Sequence, residues 1–261
     1  MKTTTLVAIA SFALVFFSCS KDGEEGGGNN NSVLQGFNSQ VCANVQGPSA
    51  AYWDFSHSIP LPLTQVPVLK NPGQQFIHSQ FPLLGFVMPQ GFNANEITDP
   101  VTGTIGVNVV RNDNNVVFRW VPNTQVAGQV SATDIIANEI NAMFAHYGFN
   151  GAPDVVCTTT SNSSFEGIPS QFTARLLRFG GITGQVWVRS TFIAGGTFSA
   201  ISVTSAPTAE YDTQVAETFL PINYQLFVGR DGTFVDNDND GVPANEDPDD
   251  NNPNVPNNNG G

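Results

Sequence analysis

The acidic C-terminal tail holds the residues whose spacing is best suited to binding a metal ion. Oxygen-bearing side chains alternate along residues 236–247, and Gly241 follows the third of them. The candidate ligands are Asp236, Asp238, Asp240, the main-chain carbonyl of Val242, and Asp247. Calcium needs roughly six to eight hard oxygen ligands, and a calcium loop supplies them in this order, with glycine at its sharp turn. We therefore expect Ca²⁺ as the cofactor of the tail.

The tail differs from the loop of an EF-hand in two respects. Its twelfth position is Asp247 rather than a longer Glu, and Pro243 and Pro248 are incompatible with long flanking helices. Residues 238–243 and 246–250 instead resemble thrombospondin type 3 repeats, which wind around calcium without helices. A lone repeat should bind weakly, with a dissociation constant of roughly 10⁻⁴ to 10⁻³ M. The alternative is an acidic tail that stays unfolded.

Residues with catalytic chemistry are few. His57 lies close to Asp54 and Ser58, as a hydrolytic triad would require, while Glu96 and Asp99 are carboxylates of the kind that glycosidases use. Neighbours of these types are frequent by chance, and carboxylates at this spacing usually mark a surface loop. The sequence lacks the nucleophile elbow, the zinc-protease motif, the phosphate loop and the paired-cysteine redox motif. We therefore predict that the protein is not an enzyme.

The N-terminus combines an export signal with a candidate lipidation site. Residues 6–17 are an uncharged apolar run, too short for a membrane span of about 20 residues but suited to the core of a secretory signal. Ser18 followed by Cys19 resembles the lipobox of bacterial lipoproteins. The resemblance implies that residues 1–18 are removed and that Cys19 carries the lipid that attaches the chain to a membrane. The alternative is an ordinary secretory signal or an N-terminal anchor.

A polar tether follows the candidate lipidation site over residues 19–32. Asp22, Glu24 and Glu25 come directly after Cys19 and resemble the surface-export signal of Bacteroidota lipoproteins. That resemblance implies a location on the outer face of the outer membrane. A spacer in a periplasm-facing lipoprotein is the alternative.

The charge distribution excludes one class of partner. The whole chain has a formal charge of −13, and residues 231–261 hold seven Asp, one Glu and no Lys or Arg. Residues 33–230 hold seven basic residues against eleven acidic ones. Because electrostatic binding to nucleic acid or to an anionic lipid surface needs a basic patch, we predict no nucleic-acid partner.

Two cysteines remain once Cys19 is assigned to lipid. Cys42 and Cys157 are 115 positions apart, which does not suit a metal motif. In an oxidising compartment they are candidates for one disulfide, worth up to about 5 kcal/mol in the chain-entropy model. Two separate buried thiols are the alternative.

Regular secondary structure is predicted from residue 76 onward. Residues 111–115 read as a hairpin turn between two apolar runs, and glycine pairs punctuate the later runs. The predicted strands are residues 81–88, 106–110, 116–121, 171–179, 185–193 and 197–204.

Two amphipathic helices are predicted around the later strands. Ser131 or Thr133 caps the first, and Gly148 closes it. The second begins at Pro207 and is kinked by Pro221. Helices placed before and after hairpin-connected strands indicate an α+β class, with an antiparallel sheet and helices packed on it.

Residues 33–75 are broken by prolines and predict an extended N-terminal arm. Within it, residues 51–55 are interpreted as a possible strand. Trp53, Trp120 and Trp187 are expected to fill the core rather than to line a ligand groove.

The order of these elements has a family resemblance. The turns at residues 86–92 and 165–170 and the approach to the last helix at residues 205–212, together with the hairpin and both helices, resemble the PsbP-like fold. The resemblance covers about residues 76–228 and departs in the N-terminal arm. It implies an α/β/α sandwich that binds partners and has no enzymatic activity.

These observations predict one α+β domain at residues 33–230, between the tether and the acidic tail of residues 231–261. The predicted function is that of a lipid-anchored envelope protein. It would be a non-catalytic binding or assembly module, with an envelope protein or a glycan as its partner. An extracellular polymer hydrolase and a purely structural surface lipoprotein are the alternatives.

Overall fold

The computed structural model describes residues 34, 36–57, 67, 69–81, 85–98, 104–165 and 167–227, together with Asp249 and Asn252. Between residues 47 and 227 these residues form the following strands and helices. The strands are β1 (Pro72–Ile77), β2 (Gly85–Pro89), β3 (Phe92–Thr98), β4 (Ile105–Arg111), β5 (Val117–Ala127), β6 (Asp154–Phe165), β7 (Ile168–Phe179), β8 (Ile182–Ile193) and β9 (Gly196–Pro207). The helices are α1 (Gly47–His57), α2 (Ala132–His146), α3 (Tyr211–Gln214), a π-helical turn (Val215–Phe219) and α4 (Leu220–Phe227).

Seven strands form one antiparallel sheet in the order β3-β4-β5-β9-β8-β7-β6. A separate ribbon joins β1 to β2. The long strands β6 to β9 are joined by short hairpins, and β9 returns beside β5, so that the sheet is continuous. The predicted α+β class with a packed antiparallel sheet is confirmed.

The predicted hairpin at residues 111–115 joins β4 to β5, with Val110 opposite Val117. Asn114 takes a left-handed conformation there, with a φ of 63°. Asparagine tolerates this conformation better than most residues, which is why the turn could be read from the sequence.

Helices cover both faces of the sheet. Alternate side chains of each strand point to opposite faces, and each face has its own apolar cluster. On one face, the cluster beneath α1, the π-helical turn and α4 includes Trp53, Phe55, Phe118, Trp120, Phe172, Leu176, Trp187, Phe219 and Ile222. On the other, the cluster beneath α2 includes Ile136, Met143, Leu177, Phe179, Val186, Val188 and Val203. The three layers form the expected α/β/α sandwich, and the three tryptophans fill its core as expected.

The interpretation of residues 51–55 as a strand is wrong, because they lie within α1. Almost every residue of α1 is buried, so it lacks the polar stripe that distinguishes a surface helix from a strand. Its N-terminus is capped from another element. The main-chain N–H of Ser49 donates to the Asp212 carboxylate over 3.0 Å, and the Ser49 hydroxyl donates to the same oxygen.

The caps of α2 are those expected from the sequence. The Ser131 side chain accepts a hydrogen bond from the main-chain N–H of Asp134, as an N-cap should. At the other end Gly148 has a φ of 63°, and the N–H of Phe149 donates to the Phe144 carbonyl over 2.9 Å. This is the left-handed helix ending that glycine favours.

The sequence predicts a kink at Pro221, and the structure has an irregular helical segment that lies partly before this proline. The π-helical turn precedes α4, and Pro221 occupies the first turn of α4, where a missing N–H costs little. The apolar residues on one face of this segment are buried, namely Val215, Phe219, Ile222 and Leu226.

No helix within the described residues has both the length and the apolar character needed to cross a bilayer.

Candidate functional site

The predicted lipidation and calcium sites lie outside the described residues. This applies to Cys19 and to all five candidate ligands, Asp236, Asp238, Asp240, Val242 and Asp247. Of the tail, the structure describes Asp249 and Asn252, where the Asn252 N–H donates to the Asp249 carbonyl over 2.9 Å. Both sites therefore stay predictions.

A disulfide joins Cys42 to Cys157, with Cα atoms 6.3 Å apart. Cys42 is buried and precedes α1, whereas Cys157 lies on the edge strand β6. The bond therefore ties the N-terminal segment to the edge of the sheet. Such a bond persists in an oxidising compartment.

Asp54 and His57 do not form a hydrolytic pair. The Asp54 carboxylate accepts hydrogen bonds from the Ser39 hydroxyl at 2.6 Å and from the Gln40 N–H at 2.8 Å. His57 bonds instead to the Trp53 carbonyl, and Ser58 lies outside the described residues. The described contacts of Asp54 therefore hold the segment before α1.

Glu96 also has a structural partner. Its carboxylate accepts a hydrogen bond from the Ser79 N–H over 2.7 Å, and this bond lowers its pKa. Asp99 lies outside the described residues. Within the described part of the chain, no three His, Cys, Asp or Glu side chains come together in an arrangement that could hold a metal ion.

A buried polar network around Tyr52 links α1 and α4 to β9. The Tyr52 hydroxyl accepts a hydrogen bond from Asn223 over 3.1 Å, while the hydroxyls of Tyr211 and Thr204 lie 3.2 Å apart. Burial raises the pKa of Tyr52 to about 12 and raises that of Tyr211 well above its usual value. Both phenols are therefore neutral at physiological pH and act as hydrogen-bonding groups within the core.

A group of aromatic and basic side chains lies where α1 ends over the sheet. We call it the Arg189 cluster, and its members are Trp53, His57, Phe172 and Arg189. The ring centroids of Trp53 and His57 are 4.8 Å apart, and His57 meets the Phe172 ring edge-on at 4.9 Å. Arg189 is the register partner of Phe172 on the next strand. Its guanidinium carbon lies 5.3 Å from the centroid of the Phe172 ring, within the range of a cation–π contact.

The tautomer of His57 follows from its hydrogen bond. Its Nδ1 lies 2.7 Å from the Trp53 carbonyl oxygen, and because a carbonyl only accepts, Nδ1 carries the proton. Burial lowers the pKa of His57, with a smaller contribution in the same direction from Arg189, so the ring is neutral at physiological pH. Its Nε2 is then a bare acceptor, and this buried atom has no hydrogen-bond partner.

The sequence analysis did not identify the Arg189 cluster. One signal was present, because alternation along β8 places Arg189 on the same face as the buried Trp187. A cation on the strand face that carries apolar core residues is unusual, although the Arg189 side chain itself is exposed.

Comparisons with known proteins give only partial structural likenesses. No protein-family model matches the chain, and no curated protein matches it. The solution structure of a cyanobacterial PsbP, CyanoP from Synechocystis sp. PCC 6803, is 10% identical and covers 56% of this chain and 86% of its own, with a TM-score of 0.32. LpqN, which is involved in cell envelope biogenesis of Mycobacterium tuberculosis, is 12% identical and covers 56% and 83%, with a TM-score of 0.27. A Pseudomonas aeruginosa protein of unknown function is 10% identical and covers 55% and 88%, with a TM-score of 0.24.

Proposed function

We propose that this chain is a lipid-anchored protein of the bacterial outer membrane. Its α+β body is a non-catalytic module that binds or helps to assemble another envelope component, and its acidic tail binds calcium. Lipid on Cys19 attaches the protein to the membrane, and the tether of residues 19–32 holds the body at a distance from it.

The observation that carries the proposal is the disulfide between Cys42 and Cys157. The chain has three cysteines, so this pairing leaves Cys19 as the thiol available for lipid. A disulfide also supports folding outside the cytoplasm, which is where an apolar leader followed by a lipidated cysteine would deliver the chain.

The contacts of the body support binding rather than catalysis. The acids considered for hydrolysis, Asp54 and Glu96, hold main-chain segments through hydrogen bonds. His57 is fixed to its own helix and has a lowered pKa because it is buried. These residues stabilise the body, and an exchangeable partner would be captured at its surface.

The tail supplies the calcium chemistry. Its eight carboxylates lie within 31 residues that contain no Lys or Arg, so the tail has no cation of its own to pair with them. The alternate spacing of Asp236, Asp238 and Asp240 allows several carboxylates to reach one ion. Millimolar affinity suits an extracellular site, where calcium is far more abundant than in the cytoplasm.

A lipidation assay tests the proposed attachment to the membrane most directly. Cells that express the full chain are fed an alkyne-bearing fatty acid, and the protein is examined for incorporated label. We expect label on the wild type and on a Ser20→Ala control, and none on Cys19→Ser. Label on Cys19→Ser, or an unlabelled wild type, contradicts the proposal. Antibody binding to intact cells then distinguishes the outer face from the periplasmic face.

A further inference from the structure

Strand β6 is the last strand of the sheet, and within the described part of the chain no strand pairs with its outer side. It pairs with β7 from Asp154 to Phe165. The irregularity in this pairing lies between Val155 and Cys157, so the register is regular over residues 158–164. An edge strand of this kind presents a row of main-chain N–H and C=O groups on which another strand can pair.

The register shows which main-chain groups of β6 face outward. Ser164 lies opposite Pro169, and because proline has no N–H, these two residues form a pair that is not hydrogen-bonded across the ladder. Hydrogen-bonded and non-hydrogen-bonded pairs alternate along an antiparallel ladder. Every second residue from 158 to 164 therefore turns its main-chain N–H and C=O groups toward the open edge.

The two edge strands of the sheet differ in how they are protected. Strand β3 at the other edge has seven residues, and its Glu96 carboxylate accepts a hydrogen bond from the N–H of Ser79 in the segment after β1. Charges and covering segments keep edge strands from pairing with other chains. Residues 155–165 of β6 include no charged residue and no proline, and residues 160–164 are exposed. The β6 edge is therefore accessible to another strand.

The composition of the chain favours a second copy of β6 as that strand. The tail of residues 231–261 has eight acids and four prolines, and the tether of residues 19–32 is rich in Gly and Asn, so neither segment suits a strand. The whole chain has a formal charge of −13, so two copies repel each other. They can meet with least repulsion along a strand that carries no charge.

We propose that two copies of this chain dimerise through their β6 strands, antiparallel about a two-fold axis at Ser161. Ser161 is the middle of the regular segment, and this register uses its full length. Thr158 then lies opposite Ser164 of the second copy, and Thr160 lies opposite Asn162. Pairs of hydroxyl and amide side chains are favourable across antiparallel strands. The two seven-stranded sheets become one continuous sheet, and the proposal requires neither the lipid anchor nor calcium.

The size of the contact sets its strength. A single strand pair of this length buries less than the roughly 1,200 Å² at the lower end of stable interfaces, so the dimer should be weak and its population should rise with protein concentration.

Sedimentation velocity of the mature full-length protein tests the proposal. The parent protein for all samples carries Cys19→Ser, which removes the one thiol outside the disulfide. EDTA is present so that calcium cannot bridge two tails, and physiological ionic strength screens their repulsion. We expect the parent protein to change from monomer to dimer as its concentration rises.

A charge exchange at the two-fold axis tests the register. Because the two copies of Ser161 lie opposite each other, Ser161→Lys alone or Ser161→Glu alone brings like charges together and should leave the protein monomeric. An equimolar mixture of the two variants should dimerise again. Asn95→Lys adds the same charge to an exposed position of β3 and should dimerise as the parent protein does. Both Ser161 variants should keep the parent's urea midpoint, because Ser161 is exposed, which shows that they are folded.

Three results would overturn the proposal. One is a parent protein that stays monomeric up to its solubility limit, and another is a dimer that Ser161→Lys leaves intact. The third is a mixture of the Lys and Glu variants that stays monomeric, which excludes pairing about Ser161. If the parent protein is monomeric but residues 158–164 gain protection from amide exchange in an envelope extract, the edge binds a strand of another protein instead of a second copy.

Discussion

The body and the tail differ in the cations that accompany their carboxylates. Nine Asp and Glu residues lie in the described part of the body. Eight of them accept a hydrogen bond, in some cases from a Lys or Arg, and Asp154 on β6 is the exception. The tail has a similar number of carboxylates and no cation of its own. In the body, acidic residues serve the fold through hydrogen bonds, so acidity in the sequence does not by itself predict a metal site. What distinguishes the two regions is whether the chain itself supplies donors and cations for its acids.

The largest effect expected within the body comes from Asp54. Asp54→Ala removes a buried carboxylate that accepts from the Ser39 hydroxyl and the Gln40 N–H, so we expect the free energy of unfolding to fall by about 2 kcal/mol. Urea denaturation measures this loss. Asp154→Ala, which removes the exposed unpaired acid, should change the same quantity by less than about 0.5 kcal/mol. Equal losses for the two variants would contradict the claim that the hydrogen-bonded acids of the body stabilise the fold.

A smaller effect is expected at the capped end of α1. Asp212→Ala removes the carboxylate that accepts from Ser49 at the helix N-terminus, and we expect a loss of about 1 kcal/mol. Asp212→Asn keeps an acceptor oxygen and should recover most of that loss. If the Asn variant is as unstable as the Ala variant, the charge rather than the hydrogen bond holds the helix end.

The smallest effect in the body is a pH dependence due to His57. Burial lowers its pKa below the ordinary value of 6.5, so the unfolded chain binds a proton more readily than the folded one. The contribution of His57 to stability is therefore complete above about pH 6.5 and is lost as the pH falls through the range between the unfolded and folded pKa values. Nearby Asp54 opposes this shift and Arg189 adds to it.

Urea midpoints measured between pH 7 and pH 5 follow this dependence. His57→Gln should flatten the decline relative to the wild type, while His146→Gln, which changes an exposed histidine on α2, should not. An unchanged slope in His57→Gln would mean that other groups set the acid sensitivity of the body.

The sequence predicts the elements whose signals are local. The hairpin between β4 and β5 follows from its turn residues, and the limits of α2 follow from Ser131 and Gly148. Helix α1 could not be recognised, because burial on all sides removes its periodic polar stripe. Strand β6 was missed for the opposite reason, since its run of Thr and Ser lacks apolar alternation although it pairs along its length with β7.

The candidate sites also differ in whether their signals are local in the sequence. The calcium spacing is contiguous in sequence and could be read directly, although its ligands lie outside the described residues. The Arg189 cluster assembles residues from α1, β7 and β8 that only the fold brings together. A pairing of that kind depends on sheet register, which the sequence alone leaves open.

Calorimetric titration of the mature full-length protein with calcium tests the central claim most directly. The account predicts a saturable heat with a dissociation constant of roughly 10⁻⁴ to 10⁻³ M. Asp238→Asn combined with Asp240→Asn should abolish that heat, and Asp231→Asn, which changes a tail acid outside the candidate ligand set, should retain it. The absence of saturable heat at millimolar calcium, or an equal heat in the double variant, would contradict the claim that the tail is a calcium site.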